Sequence, residues 1–287
     1  MHLHIIDSYL DAVPRTASHV VEVGPFSLFV GDGPYPYYAR PSCSRDAAHR
    51  FEPDEVRAAV RTQRELGVPV AFEWVDDLDP SLTRACSDAG LHVVHRPLLA
   101  RSASEAKPRT NEPSQSSVRI QIVDPLDASL IREQRSVAHV GFGHGGTAVA
   151  NVGTSERDAV SADPTAAAWT ARRIGEGATV VAVAVDEIDG VVGAGSLQPV
   201  RSESLSAAEL TGIAVLPSHR RRGIASSITS ALITHGASLR IEMLLLSAQG
   251  DEVARIYERV GFVRVGTVGE AASAATSAVA DSRNPLT

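Results

Sequence analysis

Residues 209–227 read ELTGIAVLPSHRRRGIASS, and the fold turns on how that stretch is parsed. An apolar run rich in β-branched residues ends at Leu216-Pro217, three arginines and Gly223 follow, and apolar residues then return at helical spacing. Ile224, Ile228 and Leu232 share one helical face, and Gly236 is the expected stop. The pattern predicts a strand, a short basic loop and a helix beginning at or just after Gly223. Backbone N–H groups at a helix start are unpaired and the helix dipole adds positive charge, so such a loop is an anion site. Gly223 lets a phosphate approach the backbone, Ala225 keeps the next turn narrow, and Ser226 and Ser227 add hydroxyl donors. Neither G-x-x-x-x-G-K-[ST] nor G-x-G-x-x-G is present, which disfavours nucleoside triphosphates and dinucleotides.

Working outward, VRIQIVDP (118–125) reads as a strand and DASLIREQRSVAHV (127–140) as a helix. SERDAVSADPTAAAWTARRIGEG (155–177) reads as a helix or a pair of helices interrupted at Pro164. ATVVAVAVDEIDGVVGAGSLQPV (178–200) gives two β runs joined at Asp189-Gly190, a hairpin signal. After the basic loop, IEMLLLSA (241–248) is a buried-strand run, DEVARIYERVGF (251–262) has helical spacing, and FVRVGTV closes as a strand.

The chain has 287 residues, room for two domains of ordinary size. It is 44% hydrophobic, has no apolar run near eighteen residues, and opens MHLHIIDSYLDAVPR, with an acidic residue where a signal peptide would be apolar. A cytosolic protein with no membrane partner is expected. Cys43 and Cys86 lack metal-ligand spacing and read as reduced thiols, so no metal is implied. A net charge of −7, with no aromatic residues among the arginines, argues against a nucleic-acid partner. Lys107 is the only lysine, so basic chemistry falls on arginine. The stretch 101–117, RSASEAKPRTNEPSQSS, is polar, holds two prolines and is expected to be a linker. The region 271–287 is expected to be a flexible tail.

Arg220-Arg221-Arg222-Gly223-Ile224-Ala225 matches [RQ]-x-x-G-x-[GA], and in this respect the chain resembles the GCN5-related N-acetyltransferase (GNAT) superfamily. Its ELTGIAVLPSHRRRGIA is similar to that family's fourth strand and coenzyme A pyrophosphate loop. DEVARIYERVGF is similar to its A-x-x-x-Y-x-x-x-G-F helix and following strand. The resemblance covers residues 118–270 and implies a mixed α/β GNAT fold with acetyl-coenzyme A as acyl donor. A fainter echo lies in VPVAFEWVDDLDPSLTRACSDAGLHVVHRPLLA (68–100), where Leu82, Ala85, Cys86 and Ala89 keep the offsets of Val253, Ile256, Tyr257 and Val260. Gly90-Leu91 stands there for Gly261-Phe262. Residues 1–100 are therefore expected to be a degenerate GNAT-like domain, without the coenzyme A loop, preceding the catalytic one.

The family motif places the donor against Arg220, Arg221, Arg222, Gly223, Ile224, Ala225 and Ser226. It also implies pantetheine contacts from the backbone of Ile213, Ala214 and Val215, where a bulge splays the strand. Asp251 stands where the family often has an asparagine touching the pantetheine arm. Acyl transfer to an amine requires a base, since an alkylamine of pKa about 10.4 is protonated at neutral pH. Glu209 occupies the position of the glutamate base of histone-acetylating members, and even spacing is expected to keep it on the same sheet face as Ile213. The leaving thiolate has a reference pKa of about 8.5, and a phenol of about 10 can share its proton; the motif gives that role to Tyr257. VGFGHGGTAVANVG (140–153) is expected to be a mobile loop shaping the acceptor pocket, with His144 as an alternative base. The acceptor reads as a small amine, an amino acid or a protein amine. Two alternatives stay open: an acyl group carried by a phosphopantetheinyl carrier protein, and a non-catalytic protein that senses coenzyme A or assembles partners.

Overall fold

A computed structural model describes residues 2–103, 118–161 and 163–273. Most of the expected linker and most of the expected tail lie outside the described residues. The described chain divides into two units, one of residues 2–98 and 265–273 and the other of 99–103, 118–161 and 163–264.

The first unit opens with α1 (His2–Arg15), β1 (Ser18–Val23), β2 (Phe26–Gly31) and β3 (Ala39–Pro41). It continues through α2 (Pro53–Glu65), β4 (Ala71–Val75) and α3 (Pro80–Asp88) into β5 (His92–Ser102), whose last four residues count with the second unit. Strands β1, β2 and β3 are antiparallel neighbours, and β3 runs parallel to β4. Their core joins Phe26, Phe51, Phe72, Trp74, Leu82 and Cys86. The residues at the start of the predicted linker are otherwise employed. Arg101 and Ser102 finish β5, and Arg101 is buried and donates to the Val260 carbonyl at 2.6 Å.

The second unit contains β6 (Val118–Ile122), α4 (Ala128–Gly143), α5 (Thr154–Asp158), α6 (Pro164–Gly175), β7 (Val180–Asp186), β8 (Gly190–Arg201) and β9 (Ser206–Val215). After these come α7 (Ile224–Ser238), β10 (Met243–Ser247), α8 (Asp251–Glu258) and the first residues of β11 (Val263–Ala272). Pro164 starts α6 with Asp163 as its cap, so the interrupted pattern resolves into two helices. The strand order is β10-β9-β8-β7-β6, antiparallel except for the parallel β9–β10 pair. Its core runs from Val181 and Val183 through Leu197, Ile228 and Leu232 to Leu244 and Phe262.

Two boundaries differ from the sequence reading. Helix α7 passes through Gly236 to Ser238. A Cβ at Gly236 would meet Leu244 at 3.3 Å and Leu197 at 3.4 Å, so the glycine serves close packing rather than helix termination. The sequence places the closing strand in the carboxyl-terminal unit, 118–270, and residues 271–287 in a flexible tail, whereas β11 runs on through Ala271 and Ala272, which pair with β4. From Val265 it counts with the first unit, where Val268–Ala272 pairs antiparallel with β4. Gly269 is required there, because a Cβ would lie 2.2 Å from the buried Trp74 indole.

The echo between the halves is present in the backbone. After α3, Gly90 holds φ +85° and the N–H groups of Gly90 and Leu91 donate to Ser87 and Cys86. After α8, Gly261 holds φ +94° and the N–H groups of Gly261 and Phe262 donate to Glu258 and Tyr257. The two turns close alike, which puts Cys86 in the place of Tyr257.

Candidate active site

Strand β9 carries the centre of the site. Its parallel ladder with β10 pairs Met243, Leu244 and Leu245 with Ala207, Ala208 and Glu209. Beyond that last pair β9 continues to Val215 and β10 to Ser247, so the edge of Ile213, Ala214 and Val215 that faces β10 is out of the ladder. On the other side of β9 the register with β8 slips. Thr211 faces Ser196 and Ala214 faces Ala194, leaving Gly212 and Ile213 opposite Gly195 alone. This is a β-bulge, and Gly212 with φ +64° supplies the backbone it needs.

The bulge corrects the expected geometry of Glu209. One extra residue inverts the alternation, so Glu209, Thr211 and Ala214 share a face, whereas Ile213 turns to the opposite one. Space-filling agrees. A Cβ at Gly141 of α4 would touch Ala214, whereas one at Gly195 would touch Ile213, Ile228 and Leu232. Glu209 thus lies on the sheet face that α4 packs against at Ala214, in line with Thr211 and beside their partners on β8, Gln198 for Glu209 and Ser196 for Thr211. The buried hydroxyls of Ser196 and Thr211 have no hydrogen-bond partner.

After β9 a 3-10 turn, Pro217–His219, leads into the basic loop. Arg221 (φ +65°) and Gly223 (φ +78°) are both left-handed, and for an L side chain that conformation costs about 1–2 kcal/mol. Gly223 caps α7, and the first helical bond runs from the Ser227 N–H to the Gly223 carbonyl at 3.0 Å. The N–H groups of Ile224, Ala225 and Ser226 precede that bond and have no helical acceptor. Nothing lies within 4 Å of a Cβ built on Gly223, so the approach to these donors is open. The exposed side chains of Arg221 and Arg222 flank it. The residues present therefore fit a diphosphate.

Two members of the predicted donor set are engaged elsewhere. The guanidinium of Arg220 donates to the carbonyls of Val215, Ala148, Gly141 and His144. The carboxylate of Asp251 accepts from Arg264 at 2.6 Å. Neither arrangement has a signal in the local sequence, because three acceptors of Arg220 lie more than seventy residues earlier and Arg264 stands on the strand after α8.

The ring of Tyr257 lies edge-on to Phe262, with centroids 6.3 Å apart, and burial alone pushes its phenol well above the ordinary value. Burial therefore favours the protonated phenol. His144 holds the Val140 carbonyl through Nδ1 at 3.0 Å and belongs to the end of α4.

The glycine-rich loop crosses the opening between β9 and β10. Thr147 donates to Glu252, and Gly145 lies beside the Gln249 side chain. Ala150 N–H donates to the Pro217 carbonyl, and Ser218 N–H to that of Val152. A groove of about 860 Å3 opens against α4 and α5, lined among others by Arg132, Arg135, His139, His144 and Asp163.

The matching family model, described as an acetyltransferase (GNAT) domain, covers residues 177–264, from just before the hairpin through the basic loop and α8 to the first residues of β11. Residues 177–264 are a GNAT domain. No curated protein sequence matches the chain. Among solved structures, the chain is similar to a GCN5-related N-acetyltransferase from Kribbella flavida, with 18% identity, 95% of each chain covered and a TM-score of 0.64. A tandem GNAT protein from the clavulanic acid biosynthesis pathway is 12% identical, with 86% of this chain and 78% of that one covered and a TM-score of 0.57. A GNAT-like protein from Streptococcus suis is 11% identical, with coverage of 91% and 92% and a TM-score of 0.55. At these identities the likeness is one of fold: a mixed α/β GNAT-like fold, shared with a tandem member. Among the described residues no helix is long and apolar enough to cross a membrane.

Proposed function

We propose that the GNAT domain moves an acetyl or other small acyl group from acetyl-coenzyme A to an amine by direct attack in a ternary complex. One observation carries this reading. The ladder between β9 and β10 ends at Glu209 and Leu245, and the open approach to the first N–H groups of α7 follows in the same loop.

The donor's diphosphate would lie over residues 221–226, held by backbone N–H groups and by the charges of Arg221 and Arg222. Its pantetheine arm would add to the free edge of Ile213, Ala214 and Val215, and a backbone N–H there would polarise the thioester carbonyl. Glu209 takes a proton from the bound ammonium, directly or through water, and the lone pair of the neutral amine then attacks the thioester carbonyl to form the C–N bond. The C–S bond then breaks, and the Tyr257 hydroxyl shares its proton with the developing thiolate. The first unit, with Cys86 in the place of Tyr257, holds no donor of its own. The acceptor is a small amine presented beside the loop 140–153.

The test is a mass-spectrometric screen of amine pools with purified protein and acetyl-coenzyme A, alongside calorimetric titration of coenzyme A. One coenzyme A per chain and an acylated amine are expected. A protein that binds no coenzyme A would overturn the reading, and a second saturable site would overturn the assignment of the first unit.

A further inference from the structure

We propose that Arg220, the first residue of the basic motif, is a positioning residue that ties the donor loop to the acceptor loop instead of binding the donor's anion. The proposal rests on the donor reading above for what the basic loop holds. Its own basis is the set of contacts Arg220 makes.

Helix α4 ends at Gly143, and its last four carbonyls have no intrahelical donor. The Gly141 carbonyl, one of these, accepts from Arg220 Nη2 at 2.9 Å. The same nitrogen reaches the His144 carbonyl at 2.5 Å, Nη1 reaches Ala148 at 3.2 Å, and Nε reaches Val215 at 3.3 Å. A cation at a helix carboxyl terminus also meets the negative end of the dipole. The planar fork of arginine spans four acceptors on three segments, which a lysine ammonium cannot do. The fork is turned toward α4 and the loop after it.

Ser218 strengthens the same tie. Its N–H holds the Val152 carbonyl, and its hydroxyl shares a hydrogen bond with His219 Nδ1 at 2.9 Å, whose Nε2 meets Asp189 at 3.0 Å. The loop 140–153 is thus fastened at both ends to the turn that presents α7. An anion that orders residues 221–226 would then order the acceptor loop as well, and by linkage an acceptor that orders the loop would favour donor binding.

Hydrogen exchange by mass spectrometry over residues 142–153, with calorimetric titration of coenzyme A, tests this on the full chain and on Arg220→Gln and Arg220→Lys. Ligand-free exchange of that segment is expected to quicken about tenfold or more in both variants. Coenzyme A affinity should stay within about threefold of the parent. Coenzyme A should slow the segment's exchange in the parent and leave it unchanged in the variants. The proposal is overturned by exchange within about twofold of the parent, or by equal coenzyme A protection in parent and variants. It is also overturned by an affinity that drops tenfold in Arg220→Gln and recovers in Arg220→Lys, the pattern of a charge on an anion. A parent that takes up no coenzyme A removes the donor reading, whereas the ligand-free exchange still judges the hold of Arg220 on the loop.

Discussion

Gly141 of α4 lies directly on Ala214 of β9: a Cβ on the glycine would stand 2.8 Å from the alanine Cβ and 3.5 Å from the Val215 carbonyl oxygen. In an unhindered helix, replacing glycine by alanine stabilises by about 1 kcal/mol. Here the clash should win. Gly141→Ala is expected to destabilise, and Gly141→Val to cost about 1–3 kcal/mol by overpacking α4 against the bulged strand. Urea unfolding midpoints check the sign; a gain in stability for the alanine variant would show that α4 shifts freely over β9.

At Gly223 the expectation is the reverse, a small structural cost and a large functional one. The position is left-handed, but nothing stands within 4 Å of a Cβ. Gly223→Val should therefore fold, losing about 1–2 kcal/mol to backbone conformation. A branched side chain over the first N–H groups of α7 should raise the coenzyme A dissociation constant about tenfold or more. Unchanged calorimetric affinity in the folded variant would place the donor elsewhere.

Glu73 and Glu270 occupy paired positions on β4 and β11 in the first unit. Burial first, and the facing Glu270 second, raise the Glu73 carboxyl to about 7, against the lowering effect of Arg40, Tyr38 and Arg96. The folded state therefore binds this proton more tightly than the unfolded chain, whose carboxyl titrates near 4.5. The stability tied to the proton is fully present below about 4.5 and is lost as pH rises through about 7. The loss should be about 1–3 kcal/mol, and Glu73→Gln should remove that part of the slope. Urea titrations between pH 4.5 and 8 measure it, and parallel curves for parent and variant would rule the contribution out.

The acid and base are tested as a pair. Tyr257→Phe keeps the ring against Phe262 and removes the hydroxyl, so turnover should fall about 10²- to 10⁴-fold while donor affinity persists. Glu209→Gln should lower turnover most below the amine's pKa and recover partly as pH rises, because free amine then needs less help. Turnover against pH for both variants is the measurement; rates within about twofold of the parent would leave positioning alone to drive the transfer.

Much of this protein was legible along the chain. The alternation of strand and helix periods, Pro164 at a helix start, the hairpin at Asp189-Gly190 and the turn at Gly223 all follow from local chemistry. So does the shared ending of α3 and α8, since Gly90 and Gly261 are the residues that tolerate its positive φ. Tertiary structure decided the rest, where partners are distant in sequence. Gly212 inside a strand is a bulge signal, but only the pairing with β8 shows that two residues face Gly195 and that Glu209 and Ile213 part to opposite faces. The motif gives Arg220 to the phosphate, and only the fold shows that the Gly141 carbonyl of α4, more than seventy residues earlier, accepts from its guanidinium. Asp251 depends likewise on Arg264, and β11 on the Trp74 that accepts Gly269. Periodicity and turn chemistry act within a few residues and can be read from them. A register, or the choice among several acceptors for one guanidinium, is set by which surfaces meet when the chain closes.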